Sequence, residues 1–241
     1  MAALVDDGTY TRRLVAPPGQ RTPHPTPLRP EGHQAMSRSE REQNLITYYS
    51  NEVQARTDRA LPEPRVAHRT AFLARLRDEG RHSVIELGCG PGRDGEAIAA
   101  AGFAYTGVDL SPASVEACRA LGLEAQVASV LELPFEDRAF DAGWTMSTLL
   151  HVADEDLDRA LTEIVRVLKP DAPLAIGLWG SATGGEQVWE DGTGFGPGRF
   201  FSIRTDDGLR SALERYGVVD EWTTWDDDRA MHYQWAVVSV S

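Results

Sequence analysis

The sequence has no long apolar run and few cysteines. No uncharged apolar stretch approaches the roughly 18 residues that a membrane-spanning helix needs, so no membrane partner is expected. The two cysteines, Cys89 and Cys118, cannot form a dense disulfide framework, and no basic-then-apolar signal segment opens the chain. These absences predict a cytoplasmic protein in a reducing compartment.

Positive charge is also scarce. The 241 residues include 24 Lys and Arg against 37 Asp and Glu, which gives a net charge of −13. An acidic field of this size repels phosphate polyanions, which argues against nucleic acid as a partner. A hydrophobic fraction of 41% is typical of a globular chain, and the length fits one large domain or two small ones.

Proline is concentrated near the N-terminus. Six of the 14 prolines fall within residues 1–35, and little apolar periodicity accompanies them. Such a composition buries too little apolar surface to offset the entropy of ordering the chain. We therefore expect a disordered tail over residues 1–35, followed by a single domain over residues 36–241.

Two helical patterns precede the first strand. Ser39 followed by Glu42 has the spacing of a capping box, and the apolar residues after it predict a helix over 39–56. Pro64 suits the first turn of a second helix, which ends at Gly80.

Beyond these helices, short apolar strands alternate with helical patterns. The alternation predicts an α/β fold, with a Rossmann-like, mostly parallel sheet covered by helices on both faces. Two last strands, over 218–225 and 231–240, predict a C-terminal antiparallel hairpin. Between the fifth strand and this hairpin, the sequence indicates a glycine-rich loop over 180–198.

One strand runs directly into a glycine-rich turn that opens a helix. Gly88, Gly90 and Gly92 let backbone amides approach a ligand at the positive end of that helix. A dinucleotide fingerprint needs a third glycine at position 93, where this chain has Arg93. Asp109 closes the next strand, where a carboxylate can accept hydrogen bonds from both ribose hydroxyls of a nucleoside.

These segments resemble those of a known family. ELGCGPGR at 86–93 and VDLS at 108–111 are similar to motif I and its follower in class I S-adenosylmethionine-dependent methyltransferases. LPF at 133–135 and RVLKP at 166–170 resemble later motifs of the small-molecule branch called type 11. The resemblance covers about residues 45–240 and implies S-adenosylmethionine as the cofactor.

The resemblance also implies a role for each cofactor residue. Glu86 and the glycine turn would hold the methionine end, Asp109 the ribose and Leu110 the adenine. The family often has an acidic residue for the adenine amino group where this chain has Ser129, so its hydroxyl or the following backbone would serve instead. The implied cofactor residues are Glu86, Gly88, Cys89, Gly90, Gly92, Asp109, Leu110, Ser129, Val130, Leu131, Thr145 and Met146.

His151 is the candidate catalytic residue. A sulfonium methyl donor is already activated, so catalysis mainly requires alignment and exclusion of water, and no metal is expected. His151 follows the fourth strand, at the sheet edge where ligands collect, and its ordinary pKa near 6.5 suits a general base. Alternatively, His151 caps the next helix or packs beneath the cofactor.

Four residues are candidates for substrate binding. The resemblance implies that Tyr48 and Tyr49 cover the pocket as a lid, whereas core packing by one of the two is the favoured alternative. Trp189 lies in the glycine-rich loop, which is either a substrate gate or a plain surface connection. Arg199 follows that loop.

The function predicted from these observations is methyl transfer from S-adenosylmethionine to an oxygen or nitrogen of a small molecule. Three alternatives remain open: a tRNA-modifying methyltransferase, a non-catalytic S-adenosylmethionine-binding module and a nicotinamide-dependent oxidoreductase. The net charge argues against the first, and Arg93 argues against the last.

Overall fold

The computed structural model describes Thr26–Pro27 and residues 36–190, 192–226 and 231–241. Apart from Thr26–Pro27, the predicted disordered tail lies outside the described residues. That tail and the single domain over 36–241 stay predictions.

Helices and strands alternate along most of the described chain, as predicted. In chain order they are β1 (Thr26–Pro27), α1 (Arg38–Asp58), α2 (Glu63–Asp78), β2 (Ser83–Leu87), α3 (Arg93–Ala100), β3 (Ala104–Asp109), α4 (Pro112–Ala120), β4 (Glu124–Val127), β5 (Ala142–Met146), α5 (Asp154–Val167), β6 (Pro173–Ser181), β7 (Gly185–Glu190), β8 (Arg199–Ile203), α6 (Asp206–Leu213), β9 (Gly217–Asp226) and β10 (Met231–Val240).

The predicted cap of α1 is wrong by two residues. Ser37 is the N-cap, and its backbone N–H donates to the Glu40 carboxylate over 2.8 Å, which completes a capping box. The same Ser-x-x-Glu spacing occurs again at Ser39 and Glu42, so spacing alone could not choose between the two. Glu42 instead accepts a hydrogen bond from the Ser129 hydroxyl at 3.2 Å.

Seven strands form the main sheet in the order β4-β3-β2-β5-β6-β10-β9. The five strands from β4 to β6 in this order are parallel, and β10 runs antiparallel to both β6 and β9. The predicted α/β fold with a C-terminal hairpin is therefore confirmed. The chain reverses its direction of winding between β2 and β5, which is where open α/β sheets bind ligands.

Apolar side chains cover both faces of this sheet. Val84 and Ile85, neighbours on β2, belong to opposite core clusters because side chains alternate along a strand. Helices α2, α3 and α4 pack on the Val84 face, while α5 and α6 pack on the Ile85 face. The helices thus hold the strand ends, including those at the β2–β5 junction, in fixed positions.

The glycine-rich segment 180–198 is not a plain loop. Strand β6 extends to Ser181, and β7 lies within the segment, paired antiparallel with both β8 and β1. The glycines around β7 lower the strand propensity of this segment. The partner strand β8 begins nine positions after the end of β7. Tertiary pairing therefore decides the conformation of this segment.

Candidate functional site

A cavity that is partly open to solvent lies at the carboxyl ends of β2, β3 and β5. Helix α1 contributes lining residues at helical spacing from Arg38 to Arg56, so one face of the helix covers the cavity. Eight of the predicted cofactor residues line it, namely Gly88, Gly90, Asp109, Leu110, Ser129, Val130, Leu131 and Met146.

The glycine turn after β2 is held under the cavity by backbone hydrogen bonds. The N–H groups of Gly88 and Cys89 both donate to the Val108 carbonyl, over 2.8 and 2.9 Å. Gly88 has a φ of +75° and would bring a Cβ into overlap with the Thr148 hydroxyl, whereas a Cβ at Gly90 would meet nothing within 4 Å. The turn is therefore packed below at Gly88 and open toward the cavity at Gly90.

We expect Gly88→Ala to lower the free energy of unfolding by about 1–3 kcal/mol more than Gly90→Ala, because only the first crowds a side chain. Both variants have the same positive-φ cost of roughly 1–2 kcal/mol, so Gly90→Ala is the matched control. Urea unfolding of the ligand-free proteins measures the difference, and equal losses would contradict it.

Asp109 connects the glycine turn with α4. One carboxylate oxygen accepts from the Gly90 N–H and the other from the Ser111 N–H, each at 2.8 Å. Desolvation nevertheless raises the pKa of Asp109 above its ordinary value. The carboxylate lines the cavity with lone pairs left to accept further hydrogen bonds.

His151 and Tyr49 meet at the opposite wall. The His151 Nδ1 lies 2.8 Å from the Phe200 carbonyl, which can only accept, so Nδ1 carries the proton. The Tyr49 hydroxyl therefore donates to the unprotonated Nε2, over 2.6 Å. Burial, together with the charges of Arg199 and Arg56, lowers the pKa of His151 to about 3, so its imidazole stays neutral.

This low pKa predicts an acid-sensitive contribution to stability. Between pH 6.5 and about 3 the unfolded-state imidazole binds a proton that the folded state does not, so stability is lost as the pH falls. In the wild-type protein the group should lower the free energy of unfolding by up to about 1.4 kcal/mol for each pH unit of acidification, and His151→Gln should remove this dependence. Unfolding at pH 7, 6, 5 and 4 measures it, and a pH-independent difference from wild type would contradict the neutral imidazole.

The comparison with protein families decides what this arrangement is. Residues 85–176 match the Methyltransf_11 family model, described as a methyltransferase domain. These residues span the glycine turn, Asp109 and His151. Over this segment the chain is similar to methyltransferase domains.

Curated relatives of the chain include methyltransferases. An O-methyltransferase, resE, from Aspergillus sclerotiorum is 34% identical over 112 residues, which cover 43% of this chain and 42% of that protein. The 27-O-demethylrifamycin SV methyltransferase of Amycolatopsis mediterranei is 30% identical over 122 residues, covering 47% and 43%. The chain thus spans about two fifths of the length of the curated relatives it matches.

Solved structures show that the fold extends beyond the matched segment. The Burkholderia thailandensis 1,6-didemethyltoxoflavin-N1-methyltransferase, with bound 1,6-didemethyltoxoflavin and S-adenosylhomocysteine, superposes with a TM-score of 0.66 at 20% identity. The match covers 90% of this chain and 95% of that one. At this identity the match establishes the fold alone.

Four predicted cofactor residues of the methyltransferase domain lie outside the cavity lining: Glu86, Cys89, Gly92 and Thr145. The Glu86 carboxylate is buried and accepts from the Tyr105 hydroxyl over 2.6 Å. Desolvation, and then the charge of Asp94, raise the pKa of Glu86 well above its ordinary value. Glu86 therefore faces Tyr105 and not the cavity, and the direct contact with the methionine end that the resemblance implied stays a prediction.

The four predicted substrate residues divide in the same way. Tyr49 lines the cavity, but Tyr48 is buried, with the Arg199 guanidinium 3.9 Å from its ring centre. Arg199 donates to the Tyr49 hydroxyl over 3.2 Å and so lies behind it. Trp189 is buried and stacks on Phe201 with ring centres 4.3 Å apart, which places it in the core.

Sequence reasoning missed the charged residues that join α1 to α5. Arg41 bonds Glu155 at 2.9 Å and Asp156 at 3.1 Å, and Arg38 also pairs with Asp156. Arg38 and Arg41 lie three residues apart, which was the only available signal that they share a face. Ser147 and Thr148 were also missed, although both line the cavity directly after β5.

The described residues contain no helix long and apolar enough to cross a bilayer. Among the same residues, no three His, Cys, Asp or Glu side chains are grouped as a metal site.

Proposed function

We propose that the protein transfers a methyl group from S-adenosylmethionine to an oxygen or nitrogen of a small molecule. The observation that carries this proposal is that the glycine turn and the Asp109 carboxylate line one cavity, in a domain matched to methyltransferases. The names of the similar proteins, which include O-methyltransferases and an N1-methyltransferase, support both acceptor atoms.

The residues present fit this cofactor. The open space above Gly90 admits a ligand close to the backbone, and Asp109 can accept ribose hydroxyls there. Leu110 would pack on adenine, and the Ser129 hydroxyl or the Val130 and Leu131 backbone would meet its polar edge. When bound, S-adenosylmethionine supplies a methyl group on a sulfonium, and the protein supplies the alignment, which is worth roughly 7–11 kcal/mol of the barrier.

Tyr49 and His151 would position the acceptor. The Arg199 guanidinium donates to the Tyr49 hydroxyl, whose own proton points to His151 Nε2, so its lone pairs can meet an acceptor O–H or N–H. The neutral imidazole is a weak base. It would therefore accept the Tyr49 proton, while Tyr49 takes the proton of the acceptor, only once methyl transfer has made the acceptor acidic. Otherwise the pair acts by positioning.

The other functions are less well supported. Arg93 stands where the dinucleotide fingerprint has its third glycine, which argues against a nicotinamide-dependent oxidoreductase. The net charge of −13 disfavours a tRNA substrate. A non-catalytic binding module would share the cavity, so only turnover separates it from an enzyme. Both cysteines are free and buried, which agrees with the proposed cytoplasmic location.

Incubation of the protein with methyl-labelled S-adenosylmethionine and a small-molecule extract tests the proposal. Mass spectrometry should detect a new species carrying the labelled methyl group, and S-adenosylhomocysteine should form in equal amount. S-adenosylhomocysteine binding without any labelled product would favour the binding module, and failure to bind it would overturn the proposal.

A further inference from the structure

The segment between β7 and β8 docks on α1. The Asn51 side-chain amide donates to the Phe195 carbonyl over 2.7 Å, and the Asn44 amide donates to the Gly198 carbonyl over 3.4 Å. These two asparagines lie seven residues apart, so they share one face of the helix. We call residues 192–198 the clasp, because they contact residues of α1 that do not line the cavity.

Tyr48, which lies between the two asparagines on the same face, adds further contacts. Its hydroxyl lies 3.1 Å from the Thr193 hydroxyl, and its ring meets the Phe195 ring edge-on with centres 5.8 Å apart. A Cβ at Gly196 would lie only 3.1 Å from the Tyr48 Cα, so the clasp backbone lies directly against the helix. The clasp therefore combines hydrogen bonds with close packing.

Helix α1 lies between the clasp and the cavity. Leu45 and Tyr49, each next in sequence to a residue that contacts the clasp, line the cavity from the other face of the helix. Because the helix covers the cavity, it cannot lift away without breaking its contacts with the clasp. None of residues 192–198 lines the cavity, so the clasp acts on the cavity only through α1.

The composition of the clasp favours release as well as docking. Four of its seven residues are glycine, which loses more conformational freedom on ordering than any other residue. Residues 192–194 are exposed, as is Asn51. A few hydrogen bonds thus offset a large entropy cost, which is typical of segments that open locally.

We propose that the clasp is a latch that controls when α1 opens, and so how fast S-adenosylmethionine enters the cavity and its product leaves. The inference rests on the proposed function, because it concerns the cavity in which that cofactor would bind. It assigns part of the glycine-rich segment a role that is neither a substrate gate nor a plain surface connection.

Asn51→Ala tests the latch, because it removes the shorter of the two amide hydrogen bonds at an exposed position. The clasp holds α1 whether the cavity is empty or filled, so loosening it raises the open fraction of both states. Association and dissociation of S-adenosylhomocysteine should both accelerate by about 3- to 10-fold, the value of one hydrogen bond, with the affinity unchanged within about twofold. Release of tritium-labelled S-adenosylhomocysteine into excess unlabelled ligand gives the dissociation rate, and calorimetry gives the affinity, from which the association rate follows.

Gln54→Ala is the matched control. Gln54 is another exposed amide on α1, and its side chain bonds Asp58 of the same helix, so both rates should stay within about twofold of wild type. Hydrogen–deuterium exchange of the ligand-free proteins adds a measurement that needs no ligand. Amides of α1 should exchange about 3- to 10-fold faster in Asn51→Ala than in Gln54→Ala.

Thr47→Cys combined with Gly196→Cys makes the opposite change. A Cβ at Gly196 would lie 3.5 Å from the Thr47 Cγ2, a spacing that a disulfide can bridge. With the disulfide closed, both rates should fall at least about tenfold, and reduction with dithiothreitol should restore them. Wild-type protein treated with the same oxidant controls for Cys89 and Cys118.

The outcomes separate this inference from the proposed function. Faster dissociation with unchanged association would overturn the inference, because Asn51 would then stabilise only the bound state. Unchanged rates in Asn51→Ala, or in the closed disulfide, would also overturn it. If the wild-type protein does not bind S-adenosylhomocysteine, the proposed function fails, whereas equal exchange of α1 in Asn51→Ala and Gln54→Ala would overturn the latch alone.

Discussion

Asp109→Asn should weaken binding of S-adenosylhomocysteine by about 30- to 1000-fold, equivalent to roughly 2–4 kcal/mol. The carboxylate is already held by the Gly90 and Ser111 N–H groups, so its remaining lone pairs point in fixed directions. An amide replaces one of its acceptor oxygens with a donor, which faces a backbone N–H or a ribose hydroxyl. Isothermal titration calorimetry measures the loss directly.

Glu116→Gln provides the control for Asp109→Asn. It makes the same change in charge at an exposed position of α4 that does not line the cavity, and should leave the affinity within about twofold. Unchanged affinity in Asp109→Asn would contradict the ribose assignment. A parallel loss in both variants would mean that net charge, and not the Asp109 contact, governs binding.

Asp94→Asn is expected to cost about 3–5 kcal/mol of stability. Asp94 is fully buried at the start of α3 and accepts from Arg65, from Arg69 at 2.5 Å and from the Trp144 indole N–H at 3.0 Å. Burial raises the pKa of Asp94, but these donors lower it on balance, so the folded protein holds the carboxylate ionised. Neutralising it leaves two largely buried guanidiniums without the carboxylate that they share.

Asp137→Asn is the matched control for this effect. Asp137 pairs with Arg166 at 2.9 Å, but its side chain is 72% exposed, so the pair should contribute at most about 1 kcal/mol. Urea unfolding of both variants gives the comparison. A loss in Asp94→Asn no greater than that in Asp137→Asn would contradict a stabilising role for the buried network.

The fold was largely predictable because its signals are local. Apolar runs with glycine and proline between them located the parallel strands and the C-terminal hairpin, and the order of strands follows the rules for such sheets. Strand β7 could not be found in this way, since it is set by pairing with β8 and not by its own residues. The cap of α1 failed for another reason, because two identical spacings compete within four residues of each other.

The predicted cofactor residues were correctly placed in the cavity where the backbone conformation favours one residue type. Gly88 and Gly90 have positive φ, and Asp109 ends a strand beside them, so chemistry and spacing coincide. The direction of Glu86 could not be read from the sequence, because a side chain on a strand can point to either face, and here it points to Tyr105.

The part of the cavity formed by Tyr49 and His151 was only partly predictable, since it is assembled from segments that are distant in the sequence. Tyr49 and His151 are 102 residues apart, and the packing of α1 against α4 and β8 brings them together. Arg56, which also lines the cavity, belongs to no sequence motif.

The position of β10 has a consequence for how the molecule is made. Although it follows the other described strands in the sequence, β10 lies inside the sheet, hydrogen-bonded to β6 on one side and β9 on the other. While a ribosome is still adding these residues, β6 has an open apolar edge and β9 has no partner, a state prone to aggregation. Nascent chains stalled before Met231 should therefore depend on chaperones more than the released protein does.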